Sequence, residues 1–414
     1  SRTFFGRNVA NAVLFARICG VIGRENYFRG VNMNFDVHFC LVSKQALANL
    51  LPVLDGSFRP KRAVLFVTAD MKNAAKNLAD VFKRYQVSVS MCDIADPYDI
   101  KAIRDVVFEQ AFQLRDNNIV LNMTGGTKTM AIGAQEAFAS AGFPYFYLNH
   151  ENDELQIIHT EKVANSNQME VDRQVLSTKL TLETCLNAQG FAVESKDELN
   201  VNDVQRDLMD FLVSFSATNS ASVKALNYIT SKLEREKSLS CNWLNSLGKS
   251  PDGGALFKEI LDKFEKAGYL TYTRDTLTFT SADARAFANG LWFEHYVASK
   301  IPDAKVTDKT LNLVVRSGGV KNELDVAVIA RNRLHIIECK TRNMQGESDE
   351  HIREAIYKLE MLKRLGGSNS RCALVSYLPI TNKHFRERAA DSEIKLVDGT
   401  QIKNLPQILN EWLS

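Results

Sequence analysis

Short apolar runs alternate with amphipathic segments from residue 34 to about residue 160. The predicted buried strands are 36–43, 63–68, 87–94 and 118–123, with two further apolar runs at 145–149 and 155–159. A segment with helical spacing follows each of the first four. Strands that alternate with helices of this length indicate βαβ crossovers and a parallel sheet covered on both faces. We therefore predict a Rossmann-like unit whose ligand site lies at the carboxyl ends of its strands.

The fourth predicted strand runs into a glycine-rich turn that opens a helix. The turn reads Asn122-Met123-Thr124-Gly125-Gly126-Thr127-Lys128-Thr129. Two glycines let the backbone approach a ligand closely, and a helix amino terminus favours an anion. The spacing matches neither a Walker A loop nor the G-x-G-x-x-G dinucleotide fingerprint. The turn suits a phosphate or nucleotide; the alternative is a tight turn that needs glycine for its geometry alone.

The first two predicted strands also end in polar residues. Ser43-Lys44-Gln45 follows the first strand and Thr68-Ala69-Asp70 follows the second. Alone, these residues would be ordinary helix caps. Because the carboxyl ends of parallel strands meet at one edge of a sheet, we expect them to border one crevice together with the glycine turn.

The middle of the chain, 161–282, is predicted to be mostly helical. Helical spacing covers 201–215, 222–234 and 255–267, and the last segment leads into a short predicted hairpin across Arg274-Asp275. This order is typical of a winged helix, a module that either binds DNA or serves as a dimerisation or spacer element.

The last part of the chain, 283–414, predicts a helix, three antiparallel strands, a helix, a strand and a closing helix. The first helix covers 284–299, and the third strand, 334–340, reads LHIIECK. Glu338 and Lys340 end this strand two residues apart and therefore point to the same face of the sheet. Because a carboxylate and a lysine that follow a buried strand carry a desolvation cost, they are candidates for function.

The tight turn at Arg331-Asn332 brings a second carboxylate, Asp325, close to Glu338. Two such carboxylates bind Mg²⁺ or Mn²⁺ through hard oxygen ligands, and the backbone carbonyl of Cys339 is within reach of the same ion. Lys340 would then orient or deprotonate the attacking water in phosphodiester hydrolysis. The alternative is a surface hairpin with incidental ion pairs.

A third carboxylate would complete the metal shell. Glu294 lies on the helix that packs against this sheet, although a solvated helix glutamate is an equally good interpretation. Glu323 shares a strand face with Asp325 and is the other candidate. The two positions remain open alternatives.

Composition narrows the class of protein. The 414 residues carry a formal net charge of +2, so any site for a polyanion must be a local patch. Seven scattered cysteines without a CxxC pair indicate reduced thiols in a cytoplasm and no zinc site. No apolar run is long enough for a transmembrane helix. Residues 1–33 are arginine-rich and contain a sequence like a degraded protease-tag site, so we interpret them as a non-native extension.

Two of these regions resemble known protein families. The segment at 34–160, with the turn Asn122–Thr129, resembles a CARF domain, the Rossmann-like sensor of cyclic oligoadenylates in CRISPR systems. The segment at 283–414, with Asp325, Glu338 and Lys340, resembles a PD-(D/E)XK restriction-endonuclease-like α/β domain. The residue before Asp325 is Leu324 and not proline, which departs from the motif.

The combination is similar to the ancillary nucleases of type III CRISPR systems, which are switched on by cyclic tetra-adenylate. The resemblance implies a homodimer with one two-fold ligand site. It also implies that Lys128, Thr127 and the Gly125-Gly126 backbone hold phosphates, and that the pocket is lined by Asn122, Thr124, Ser43 and Thr68. The implied substrate is single-stranded RNA and DNA.

Two other functions fit the same sequence. A non-enzymatic transcription regulator would use the sensor to drive the winged helix. A restriction or repair nuclease would cut without any second messenger. The ring size of the activator is left open by the sequence.

Overall fold

The computed structural model describes residues 34–159, 170–218, 221–244, 254–341 and 349–414. They belong to two compact units, which divide between Thr178 and Lys179. The extension interpreted at 1–33 lies outside the described residues. Within the described ranges, no helix is long and apolar enough to cross a membrane.

The first unit is built mainly from strands that alternate with helices. Its elements are β1 Val37–Leu41, α1 Leu47–Leu54, β2 Arg62–Thr68, α2 Lys72–Arg84, β3 Ser88–Ile94, α3 Ile100–Gln113, β4 Ile119–Asn122, α4 Lys128–Ala141, β5 Tyr145–Asn149, β6 Glu154–His159 and β7 Glu170–Val175. The predicted strands and helices are present, and β7 is an additional strand that the sequence analysis assigned to the helical middle.

The sheet of this unit has the order β3-β2-β1-β4-β5-β6-β7. The first five strands are parallel to one another, whereas β6 and β7 are antiparallel additions at one edge. Every residue of β1 is buried, which explains its unbroken apolar run. Because β1 pairs with both β2 and β4, the strand order reverses beside it, and the predicted Rossmann-like arrangement is confirmed.

A buried carboxylate, Asp55, links the residue that follows α1 to the last two residues of this unit, Ser177 and Thr178, by hydrogen bonds. Asp55 is fully buried and accepts hydrogen bonds from the backbone N–H and hydroxyl groups of Ser57, Ser177 and Thr178 at 2.6–3.1 Å. Burial raises the pKa of Asp55, but these hydrogen bonds outweigh burial and hold the pKa below its usual value. The ionised form is therefore the one that stabilises the fold.

Replacing Asp55 with Asn is expected to lower the free energy of unfolding by about 3 kcal/mol at pH 7. Since the folded-state pKa lies below the unfolded one, the contribution is complete above about pH 4 and is lost as the pH falls further. Urea unfolding between pH 7 and pH 3 should therefore show a shallower pH dependence in the variant. The exposed Asp116→Asn serves as control, and equal pH profiles for wild type and Asp55→Asn would refute the assignment.

The second unit contains the helical middle and the C-terminal sheet. Its elements are α5 Leu182–Ala188, β8 Ala192–Asp197, α6 Asp203–Val213, α7 Ala221–Arg235, β9 Ser240–Asn242, α8 Ala255–Lys266, β10 Leu270–Tyr272, β11 Thr276–Phe279, α9 Ala282–Ala286, α10 Trp292–Ser299, β12 Asp308–Ser317, β13 Val320–Ala330, β14 Arg333–Lys340, α11 Asp349–Leu362, β15 Arg371–Ser376, α12 Lys383–Asp391, β16 Ile394–Val397 and α13 Leu405–Trp412.

The larger sheet of this unit has the order β16-β15-β14-β13-β12-β8. Strands β8, β12, β13 and β14 are antiparallel, whereas β14, β15 and β16 run parallel. The outer strands β8 and β16 were not predicted from the sequence. β8 is largely exposed and β16 has only four residues, so neither forms a long apolar run.

One apolar core joins the middle helices to this sheet. Buried side chains of α6, α7 and α8 belong to the same cluster as those of β13, β14 and β15. A separate three-stranded sheet, β10-β11-β9, follows from the predicted hairpin and gains β9 as a third strand. The helical middle is therefore packed on the sheet that carries Asp325 and Glu338.

The predicted helix 284–299 is interrupted. A π-helical segment, Phe287–Leu291, separates α9 from α10, and Gly290 has a φ of 142°. A Cβ atom at Gly290 would lie 3.1 Å from the hydroxyl of Thr341. The glycine thus lets the helical segment approach the chain that follows β14, a distortion often found at functional sites.

Candidate functional site

The glycine turn lies at the switch point of the first sheet. It follows β4, whose neighbour β1 runs parallel to it and leads into Ser43. A Cβ atom at Gly125 would lie 2.2 Å from the carbonyl oxygen of Leu41, at the end of β1. That oxygen also accepts a hydrogen bond from Asn49. Only glycine therefore allows the turn to pack so closely on β1.

The buried side chain of Asn122 holds the glycine turn through hydrogen bonds. Its side chain is fully buried, donates to Ala48 O and Asn49 Oδ1, and accepts from the backbone N–H of Thr124 at 3.0 Å. Both the amide nitrogen and the amide oxygen of Asn122 thus have hydrogen-bond partners within the protein. Its position indicates a residue that holds the turn in place, whereas the sequence analysis placed it in the pocket lining.

The threonines of the turn have structural partners as well. The Thr124 hydroxyl accepts from the backbone N–H of Leu148 at 2.8 Å. Thr127 is the N-cap of α4, where its hydroxyl accepts from Met130 N–H and donates to Pro97 O. Both side chains are half-buried. They shape the turn, and the Thr127 cap takes up the Met130 N–H in the first turn of α4, the part of a helix whose backbone N–H groups favour an anion.

The charged and polar rim of the crevice is accessible. Lys128 is exposed at the first turn of α4, and Ser43 and Thr68 are half-buried where β1 and β2 end. Ser43 accepts a hydrogen bond from Gln45 N–H through its hydroxyl. The residues predicted to border one crevice thus follow neighbouring strands of one sheet edge.

In the second unit, the hairpin of β13 and β14 brings Asp325 and Glu338 together. Arg331 and Asn332 form its turn with positive φ angles of 50° and 55°. The register pairs Val326 with Ile337, so Asp325 lies opposite Glu338. Asp325 Oδ2 accepts the backbone N–H of Cys339 at 2.7 Å.

Two lysines bind Glu338. The Nζ atom of Lys340 lies 2.5 Å from Glu338 Oε1, which confirms that the two side chains share one face. The Nζ atom of Lys358, on α11, lies 2.6 Å from Glu338 Oε2 and 3.8 Å from Asp325 Oδ1. The side chain of Glu338 is only 2% exposed, so the two ammonium groups replace the water that would otherwise surround it.

Glu294 is the third carboxylate of this cluster. It lies on α10, directly after the π-helical segment, and its Oε2 is buried without a hydrogen-bond partner among the described residues. Glu323, the alternative, is exposed. A buried carboxylate oxygen without a partner is costly, and it indicates a position meant for a cation or a proton.

The electrostatics of the cluster follow from its burial. Burial and the Asp325 carboxylate raise the pKa of Glu294 to about 9. Burial and the Glu338 carboxylate raise the pKa of Asp325 to about 6. Burial lowers the pKa of Lys340, but Glu338 and Asp325 outweigh burial and leave that pKa above its usual value. Lys340 is thus an ammonium group here, which can orient a water molecule and offset negative charge.

A cavity of about 590 Å³ opens beside the cluster. Its lining includes Glu294, Glu338, Lys340 and Lys358, together with residues that the sequence analysis missed: Glu234, Asn289, Thr341 and Glu354. Asn289 accepts from the hydroxyls of Thr230 and Ser231 and donates to Glu234. These residues come from distant parts of the chain, and no motif marks them.

The side chains of the cluster carry the ligand atoms that a hard divalent cation prefers. Carboxylate oxygens are the ligands that Mg²⁺ and Mn²⁺ prefer, and the unpartnered Glu294 oxygen provides a ligand position. Yet in the parts of the chain that the structure describes, no group of three or more His, Cys, Asp or Glu side chains is arranged as a metal site. Instead, the ammonium groups of Lys340 and Lys358 hold the two Glu338 oxygens.

Comparisons with known proteins agree with both units. The family model described as the Card1 CARF domain matches residues 37–183, and the model described as the Card1-like endonuclease domain matches residues 281–414. A search of curated proteins found no match.

Two solved structures share the fold. The protein VC1899 from Vibrio cholerae is 24% identical, with a TM-score of 0.76 over 92% of this chain and 98% of that one. Can2 from Sulfobacillus thermosulfidooxidans, solved in complex with cyclic tetra-adenylate, is also 24% identical, with a TM-score of 0.71 over 92% of this chain and 97% of that one.

The fold and the two sites define a class of protein in which a CARF domain is joined to an endonuclease domain. The two family models together match more than half of the chain. The chain thus carries a region that matches the Card1 CARF domain and a region that matches the Card1-like endonuclease domain, and the predicted resemblance to a CARF-domain CRISPR ancillary nuclease is confirmed.

Proposed function

We propose that this protein is a divalent-metal-dependent nuclease that cleaves single-stranded RNA, DNA or both when a cyclic oligoadenylate binds its CARF domain, in type III CRISPR defence. The observation that carries the proposal is the cluster of Asp325, Glu338 and Glu294 beside Lys340, in which Glu338 is buried and Glu294, Glu338 and Lys340 line a cavity of the endonuclease domain. A surface hairpin with incidental ion pairs would not bury a Glu338 side chain to 2% exposure.

The metal, Mn²⁺ or Mg²⁺, would be held by Asp325, Glu338 and the backbone carbonyl of Cys339. We assign the additional carboxylate to Glu294, because its Oε2 atom is buried and the residue lines the cavity, whereas Glu323 is exposed. When bound, the ion supplies Lewis-acid polarisation of the scissile phosphodiester and favours ionisation of a bound water. The Asp325, Glu338 and Lys340 set is what a PD-(D/E)XK nuclease uses.

The chain's own residues position the reactants. Lys340 is an ammonium group beside Glu338, so we assign it to orienting the attacking water and offsetting phosphate charge. The role as a proton acceptor, which the sequence left open, would require the pKa of Lys340 to fall when a cation binds the neighbouring carboxylates. The hydrogen bond from Cys339 N–H fixes the Asp325 carboxylate against the strand.

The activator would bind the crevice of the first unit. The backbone N–H groups at the start of α4 and the exposed Lys128 suit phosphates, and Can2 was solved in complex with cyclic tetra-adenylate. A homodimer would place two crevices around one ring, whose symmetry matches a two-fold axis. Binding activates only if the ligand prefers the cleavage-competent state.

The middle of the second unit would act as a winged-helix-like spacer. Helix α8 leads into β10 and β11, with β9 completing the small sheet. The helices α6, α7 and α8 share the apolar core of the nuclease sheet, which favours a structural role over DNA reading.

The proposal is tested with the full chain, labelled single-stranded RNA or DNA, Mn²⁺ and cyclic tetra-adenylate. We expect cleavage that requires both the metal and the activator. Calorimetry with cyclic tri-, tetra- and hexa-adenylate identifies the ring size. Lys128→Ala should weaken binding by at least about tenfold, a loss typical of one charge-assisted contact.

Lys61→Ala is the matched control for that variant. Lys61 precedes β2, so it lies at the amino ends of the strands, and its ammonium pairs with Asp36. Cleavage that proceeds equally without the cyclic nucleotide, and that ignores Lys128→Ala, would favour a nuclease independent of a second messenger. Activator-dependent binding of duplex DNA without cleavage would favour the transcription regulator.

A further inference from the structure

One ammonium group contacts both carboxylates to which the metal is assigned. Lys358 Nζ is 2.6 Å from Glu338 Oε2 and 3.8 Å from Asp325 Oδ1. Carboxylates that lie close together away from water repel one another unless a cation or a proton compensates their charge. Lys358 therefore supplies, in this structure, positive charge at the place where the carboxylates would hold a divalent ion.

The two lysines of the cluster differ in how easily each could move away from Glu338. Lys340 shares strand β14 with Glu338, so the backbone of the sheet keeps it nearby. Lys358 projects from α11, a different element, and its side chain is 37% exposed at the rim of the cavity. A long lysine stem can change rotamer without moving either element.

We propose that Lys358 is a positioning residue that holds the cation position of the resting nuclease site. Its ammonium group bridges Glu338 and Asp325 until a divalent cation replaces it, and the displaced side chain then lies in the cavity. The inference rests on the proposed metal-dependent nuclease function.

The direct test measures the reactivity of the Lys358 amine. The full-length wild-type protein is acetylated with N-hydroxysuccinimidyl acetate at low conversion, with Mn²⁺ from zero to millimolar concentration, and initial rates at each lysine are read by mass spectrometry. An amine in an ion pair reacts slowly, so we expect the rate at Lys358 to rise several-fold as the metal binds. Electron paramagnetic resonance of free Mn²⁺ reports binding separately.

Lys363 is the matched control. Its Nζ lies 2.6 Å from Glu393 Oε2, the same distance as in the Lys358–Glu338 pair, and it follows α11 directly. Glu393 is not one of the carboxylates that we assign to the metal. The acetylation rate of Lys363 should stay constant across the same titration.

A variant gives a second readout. Lys358→Met should bind Mn²⁺ about tenfold more tightly, because the metal no longer competes with an ammonium group. Without metal, the variant should unfold at a lower temperature, because Glu338 loses a partner, and Mn²⁺ should restore its stability. Lys363→Met should change neither property.

The outcomes separate this inference from the proposed function. If Mn²⁺ binds the wild type while the acetylation rate of Lys358 stays constant, the role of Lys358 is wrong and the metal-dependent nuclease stands. If neither the wild type nor Lys358→Met binds Mn²⁺, and cleavage proceeds in the presence of a chelator, the proposed metal dependence is wrong. The role of Lys358 is then refuted with it.

Discussion

Glu338→Gln is expected to reduce activator-dependent cleavage by at least about a hundredfold, the loss typical when a preorganised charged group is removed from a reacting centre. Glutamine keeps the shape of the side chain but removes the negative charge that the proposed metal requires. Lys340→Met should reduce cleavage by a similar factor, because the ammonium group beside Glu338 disappears. Cleavage rates of labelled single strands in Mn²⁺ measure both effects.

The control for these variants is Glu393→Gln. Glu393 pairs with Lys363 at 2.6 Å, the same distance as the pair of Glu338 with Lys358, but its side chain is 82% exposed. Its loss should leave cleavage unchanged. Undiminished cleavage in both Glu338→Gln and Lys340→Met would remove the assigned active site, provided that circular dichroism shows both variants folded.

Gly125→Ala is expected to abolish the response to cyclic oligoadenylate. The new Cβ would lie 2.2 Å from the Leu41 carbonyl oxygen, closer than any real contact. The turn must then move away from β1, and the start of α4 moves with it. Overpacking of this kind costs about 3 kcal/mol of stability. Calorimetry with cyclic tetra-adenylate and thermal unfolding measure the two effects.

Gly56→Ala makes the same chemical change in the same unit. A Cβ atom at Gly56 has no heavy atom within 4 Å, so this variant should keep both stability and activator binding. Normal activation of Gly125→Ala would show that the turn does not need its close approach to β1. The ligand crevice would then have to be sought elsewhere in the unit.

Much of the fold could be predicted because the decisive signals are local. The unbroken apolar runs of β1 and β2 and the helical spacing between them are properties of short segments. The same holds for the E-x-K spacing of Glu338 and Lys340, since alternation along a strand places both side chains on one face.

Some edge strands were missed because their signal is not local. Strand β8 is mostly exposed and is held by antiparallel pairing with β12, more than a hundred residues further along the chain. Strand β7 likewise pairs with β6 across residues that lie outside the described ranges. Pairing with a distant partner decides such strands, and their own composition does not.

By itself, the sequence determined the Rossmann-like order of the first unit, the glycine turn at its switch point, and the placement of Asp325 opposite Glu338 across a tight turn. Only the tertiary structure distinguished Glu294 from Glu323, showed Asn122 fully buried beneath the turn, and brought Lys358 onto Glu338. Burial and contacts between distant elements set the cost of a charge and the partner that offsets it, and neither quantity is encoded in the spacing of neighbouring residues.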